Sequence, residues 1–146
     1  MREIEFRGKL KSGWYKGRKN KKWVYGYLSS PDCIRIKEVD GVIVTYEPYF
    51  IIPETVGQYI ELKDKDGVKI FDGDIVKADL DLGREPDDRV CMTMDVIFYK
   101  GKFCLRRYHK NVDPLYDVCP ISDFHNIFVI GNIYDNPNNP DLLGGK

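Results

Sequence analysis

The chain has 146 residues, the size of one compact domain or two very small ones. It carries 23 Lys+Arg against 23 Asp+Glu, and 42% of it is hydrophobic, with 10 Tyr, 7 Phe and 2 Trp. That is enough apolar material for a core, so general disorder is excluded.

No apolar run approaches a membrane span. The opening Met1-Arg2-Glu3-Ile4-Glu5 has no apolar stretch behind it, which argues against a signal peptide. A cytoplasmic location without membrane contact is the expectation. The cysteines at 33, 91, 104 and 119 form no C-x-x-C pair, so free and mostly buried thiols are expected. The neutral total hides an asymmetry. Residues 1–30 hold nine basic and two acidic side chains, and residues 31–146 hold fourteen and twenty-one. Such a split marks an arm that meets a polyanion, or two parts of one surface that attract each other.

Residues Arg2 to Arg7 alternate, with Ile4 and Phe6 on one face, as in a half-buried strand. Lys9 to Lys22 is polar and contains Gly13 and Gly17, so it reads as a loop. Trp23 to Leu28 reads as a strand with Trp23, Tyr25 and Tyr27 on one face. Cys33–Ile36 and Val42–Tyr46 are two more strands, joined by a hairpin turn at Asp40-Gly41. Pro48 and Pro53 bracket a short apolar stretch, and Pro53 to Gly57 has room for at most one helical turn.

Leu62 to Phe71 is a strand–turn–strand bent at Asp66-Gly67, and a second bend follows at Asp72-Gly73. Ile75–Ala78 is a strand, 80–89 an acidic loop, and Val90–Tyr99 the longest strand candidate. Lys100-Gly101 turns it back into Lys102–Arg106. Pro114 and Pro120 break the next segment. Ile121 to Asn126 holds one helical turn, capped by Ser122 or Asp123, and Ile127–Tyr134 is a final, largely buried strand. Short strands with regular turn signals and no long helical period predict an all-β barrel or sandwich. A division is expected near Pro53, giving regions 1–53 and 54–137 and a flexible tail over 138–146.

Glu54-Thr55-Val56-Gly57-Gln58-Tyr59, Leu62 to Gly67, and Ile70-Phe71-Asp72-Gly73-Asp74-Ile75-Val76 together resemble the YopX family of phage and prophage proteins. The opening 2–8, the block Trp23–Leu28 and the ending Val129–Pro137 agree, in matching order. The resemblance implies a mainly β fold with little helix. A small N-terminal antiparallel sheet is joined to an SH3-like β-barrel in the C-terminal part. It supplies no activity and no catalytic residues. One departure stands at Ile60-Glu61, where the family has a small residue and Gly; a stiffened or bulged turn is expected there. Arg84 to Arg89 resembles a longer insertion. The motif residues have a structural account of their own: Asp66-Gly67 and Asp72-Gly73 set tight turns, and Thr55, Gln58 and Tyr59 satisfy backbone groups.

The chemistry to be weighed is thin. Asp64-x-Asp66-Gly67 fails the calcium-loop pattern at its fifth, sixth and twelfth positions, which hold Val68, Lys69 and Ile75. Asp64, Asp66, Asp72 and Asp74 converge only if their two turns are neighbours. Cys104, His109, Cys119 and His125 match no common zinc spacing. A Cys–His nucleophile could be drawn from the same four residues, but no catalytic motif accompanies them. No metal, no cofactor and no enzymatic activity are expected.

Two binding surfaces remain. Lys9, Lys11, Lys16, Arg18, Lys19, Lys21 and Lys22 place seven cations in fourteen residues without an acid, beside Trp14, Tyr15 and Trp23. Such a segment can neutralise phosphates and stack on bases, or it can be an ordinary solvated loop anchored by its aromatics. Tyr25, Tyr27, Tyr46, Tyr49 and Phe50 exceed what a very small sheet buries, which suits a protein interface, unless they pack between the two regions. The expected role is a non-catalytic accessory or protein-binding module in the bacterial host cytoplasm, as a homo-oligomer or bound to a phage or host protein. The alternative is a nucleic-acid-binding accessory factor using 9–23.

Overall fold

The computed structural model describes residues 3–11, 22–81, 83, 89–107 and 118–136. The expected acidic loop therefore lies mostly outside the described residues. The Pro114 break, the tail and the middle of the basic segment (Trp14, Tyr15, Lys16, Arg18, Lys19 and Lys21) lie wholly outside them. The chain is mainly β and antiparallel, as expected, with one short 3-10 turn and no α-helix among the described residues. It divides into two compact units, Met1–Glu61 and Leu62–Lys146.

The first unit contains β1 (Phe6–Leu10), β2 (Trp23–Ser30), β3 (Cys33–Asp40) and most of β4 (Ile43–Lys63). The strands pair in sequence order, and β1 also pairs with β4, so the sheet closes on itself. Each strand gives one buried side chain to the centre: Leu10, Val24, Ile34 and Ile51. Removing each from water is worth about 1.5–3 kcal/mol. So tight a ring demands small residues where strands cross closely. A Cβ on Gly26 would stand 2.4 Å from the Arg35 carbonyl oxygen, and one on Gly8 would stand 2.5 Å from Ile51 Cδ1.

Two expectations are corrected here. Leu10, placed in the polar loop on local composition, is fully buried and belongs to β1. Its pairing to both β2 and β4 decides this, and such pairing leaves no local signal. Pro53 to Gly57 is not a helical turn but part of β4. Between Arg7↔Gly57 and Lys9↔Ile52 the β1–β4 register shifts, so Pro53–Val56 forms a bulge opposite Gly8. A bulge tolerates proline because no ladder N–H is required there. Thr55 closes it: its Oγ1 accepts the Lys9 N–H at 2.9 Å and donates to the Ile52 carbonyl at 2.6 Å.

Beyond the core, β3 and β4 continue as a two-stranded arm. The register runs without a break from Cys33↔Phe50 to Asp40↔Ile43, and residues 37–46 are all exposed. The turn residues are thus Gly41 and Val42, one position later than expected. Gly41 has φ +59°, and Gly at the first of two turn positions suits the right-handed twist of a hairpin.

The second unit contains β5 (Lys69–Phe71), β6 (Asp74–Asp81), β7 (Arg89–Tyr99), β8 (Lys102–Arg106), β9 (Val118–Pro120), the 3-10 turn Ile121–Asp123 and β10 (Phe124–Asn132). Its five-stranded sheet has the order β10-β6-β7-β8-β9. Val76, Ala78, Met94, Val96 and Leu105 are buried on one side of it, and Ile75 is buried on the other, beside Asp95. Lys100 and Gly101 both have positive φ, as a two-residue type I′ connection requires. The expected side-chain cap at Ser122 or Asp123 is absent: Pro120 occupies the N-cap position, without a side-chain hydrogen bond. The last strand is half-buried rather than buried, with Phe128 and Ile130 exposed.

Asp64 organises the entry to this unit. Its Oδ1 accepts the N–H groups of Asp66 and Val68, and its Oδ2 accepts that of Val129 on β10. The Lys65 N–H adds a bond to the Ile127 carbonyl. Asp74, also buried, accepts the Phe71 N–H at 2.7 Å and closes the bend at Asp72-Gly73. The turn motif is thereby a fastening of the fold.

Candidate binding face

Strand alternation sorts the first unit into an inner and an outer side. Val24 and Leu28 face the core, so Trp23, Tyr25 and Tyr27 face outward on β2. On β3, Ile34 and Ile36 face inward, leaving Arg35 and Lys37 outside. On β4, Val44, Tyr46 and Phe50 share that side. The register sets Arg7 beside Tyr25, Lys9 beside Trp23, Tyr27 beside Arg35, and Lys37 beside Tyr46.

The side chains confirm this arrangement. The Tyr27 and Tyr46 rings meet edge to face, with centroids 5.9 Å apart. The Arg35 guanidinium donates to the Tyr46 carbonyl at 3.2 Å, which holds the cation between the two rings' strands. Arg7 Cζ lies 5.0 Å from the Trp23 ring centroid, a cation–π contact. Tyr25, Tyr27 and Tyr46 remain 45–52% exposed. From Trp23 to Phe50 no outward strand position is a carboxylate, while Glu38, Asp40 and Glu47 fall on the opposite side.

The two candidate surfaces of the sequence thus meet. Lys9 and Trp23 from the basic segment join Tyr25, Tyr27, Tyr46 and Phe50 from the aromatic set. Lys11 stands near Asp32, at 3.8 Å between exposed side chains, and its N–H donates to the Phe50 carbonyl. Lys22 is exposed, and its carbonyl accepts the Leu10 N–H. Tyr49 is separated from the others and packs against the core. Sequence reasoning missed Arg35 and Lys37. Their alternation with Ile34 and Ile36 marks them as outward, but only the register places Arg35 beside Tyr27 and Lys37 beside Tyr46.

Cys33 and Cys104 are buried free thiols, Cys119 is half-buried and Cys91 is exposed. The Cys104 thiol donates weakly to the Tyr99 and Lys102 carbonyls. Burial pushes its pKa up against the opposing pull of Lys102, the reverse of an activated nucleophile. Cys91 is raised by burial first, then by the charge and hydrogen bond of Asp79. His109 lies outside the described residues, and His125 is exposed on β10. Among the described residues no three His, Cys, Asp or Glu side chains gather to hold a metal. No helix among them is long and apolar enough to cross a membrane.

A family model described as YopX protein matches residues 9–141. No curated protein matches the chain. The solved structures include a similar chain, protein EF1440 from Enterococcus faecalis, at 19% identity. The match covers 94% of this chain and 98% of that one, with a TM-score of 0.48.

Proposed function

This chain belongs to the YopX family, and we propose that it is a non-catalytic binding module holding single-stranded nucleic acid across the outer face of β2, β3 and β4. The observation that carries this is the interleaving of Tyr27, Arg35, Lys37 and Tyr46 on three paired strands without a carboxylate among them. Tyrosine rings accept unpaired bases by stacking, and the cations beside them neutralise the phosphates. In sequence, the connection between β1 and β2 carries five further cations, Lys16, Arg18, Lys19, Lys21 and Lys22. The family resemblance supports a phage or prophage setting in the bacterial cytoplasm. The strand order β10-β6-β7-β8-β9, with a 3-10 turn before the last strand, supports an SH3-like reading of the second unit.

The test is fluorescence anisotropy with a labelled mixed-sequence single strand. Tyr27→Ala and Tyr46→Ala should each weaken binding about five- to hundredfold. Arg35→Gln and Lys37→Gln should each lower the salt dependence by about 0.7 in log–log slope. A chain that does not bind, or binds equally after both tyrosine changes, overturns the reading.

A second reading is favoured by one observation. The tip of the β3–β4 arm presents Val39, Val42, Ile43 and Val44 to solvent, with Val42 99% exposed. Apolar residues on a projecting hairpin suit a protein partner, a second copy of the chain included. Light scattering on the wild type and Ile43→Glu separates this reading, since only tip-mediated assembly loses mass on that change.

A further inference from the structure

We propose that the second unit binds a small amphiphilic carboxylate in a cavity beneath β7 and β8, with Arg107 receiving the anion. The proposal is independent of the nucleic-acid reading. The cavity has a volume of about 260 Å³. That falls just below the roughly 300–1,000 Å³ that accommodates drug-sized molecules, so the ligand is small. Met92 and Met94 of β7, Leu105 of β8 and Phe124 of β10 form apolar walls. Arg107 follows β8 and is the charged residue of the lining.

The state of Arg107 is what points to an anion. Its Nη1 donates to the Met92 thioether at 3.4 Å, and among the described residues no carboxylate pairs with it. A guanidinium carries five N–H donors, and a thioether is a weak acceptor for one of them. Its neighbour Arg106 shows the contrast, engaging Asp95 through two bonds. A carboxylate with an apolar tail fits this site: the head takes the planar fork of the guanidinium, and the tail displaces water from the methionine-lined wall. Methionines adapt their shape, so the walls suit a flexible chain.

Octanoate is the probe, octan-1-ol its neutral counterpart, and the methyl signals of Met92 and Met94 in ¹³C-methionine NMR are the readout. Octanoate should shift both signals saturably, at least tenfold more tightly than octan-1-ol. Arg107→Gln should weaken octanoate by about ten- to hundredfold, the range of a hydrogen bond to a charged group, and leave octan-1-ol unchanged. Absence of a saturable shift overturns the proposal. So does equal affinity for acid and alcohol in the unaltered chain, a comparison that stands even if Arg107→Gln disturbs the fold.

Discussion

Asp95 and Arg106 face each other across β7 and β8 and join in a two-pronged pair, with Nε to Oδ1 at 3.1 Å and Nη2 to Oδ2 at 2.6 Å. Asp95 is fully buried, and Arg106 covers it from a largely buried position. Breaking such a pair leaves a charge in the core. Arg106→Ala should therefore cost about 3–5 kcal/mol. Replacing both partners by well-packed apolar residues should cost far less, because no orphan charge remains. Urea unfolding of the single and double variants checks both figures.

Asp64 predicts an acid-sensitive step. Burial raises its pKa, but the N–H groups of Val129, Val68 and Asp66 outweigh that and hold it below its ordinary 3.8. A carboxylate lowered in the folded state contributes stability in full above its unfolded pKa, and the contribution is lost as pH falls through the folded value. Stability should thus decline below about pH 4. Asp64→Asn should flatten that decline and cost about 1–3 kcal/mol at neutral pH, since one backbone donor loses its acceptor. Thermal melts from pH 7 to pH 2.5 measure the difference.

Glu61 occupies φ +68°, the left-handed region that favours glycine. This is the position where the family resemblance expects Gly. Relief of about 1–2 kcal/mol of strain is partly offset by the extra freedom of Gly in the unfolded chain. Glu61→Gly should raise Tm by a few degrees, which calorimetry resolves.

Thiol labelling should follow exposure. Cys91 should react first, Cys119 next, and Cys33 and Cys104 only on unfolding. Because Cys91 is raised above its ordinary 9.0, its rate should still be climbing beyond pH 9. A chromogenic disulfide reagent read across that range tests the order and the slope.

Much of this architecture is legible in the sequence where local chemistry decides. Asp66-Gly67, Asp72-Gly73 and Lys100-Gly101 turn where expected, because the glycine in each accepts positive φ without steric cost. Tyr25 and Tyr27 face outward as their alternation with Val24 and Leu28 requires. Distant partners decide the rest. Leu10 is a core residue through strands that begin at Trp23 and Ile43, and Asp64 meets Val129 65 positions on. The candidate face is half visible in the sequence: its aromatics stand out there, but Arg35 and Lys37 join it only through register. The Arg107 cavity draws its wall from five strands and has no sequence signal.

The β3–β4 arm has one more consequence. The last rung between β2 and β3 is Tyr27↔Arg35, so Ile36 to Asp40 lacks a β2 neighbour on that edge. An unpaired edge is a template on which another chain can add a strand and begin to aggregate. Lys37, Glu38 and Asp40 stand along this stretch, and their charge makes such addition costly. The arm can therefore reach into solvent with an apolar tip because its flank is guarded.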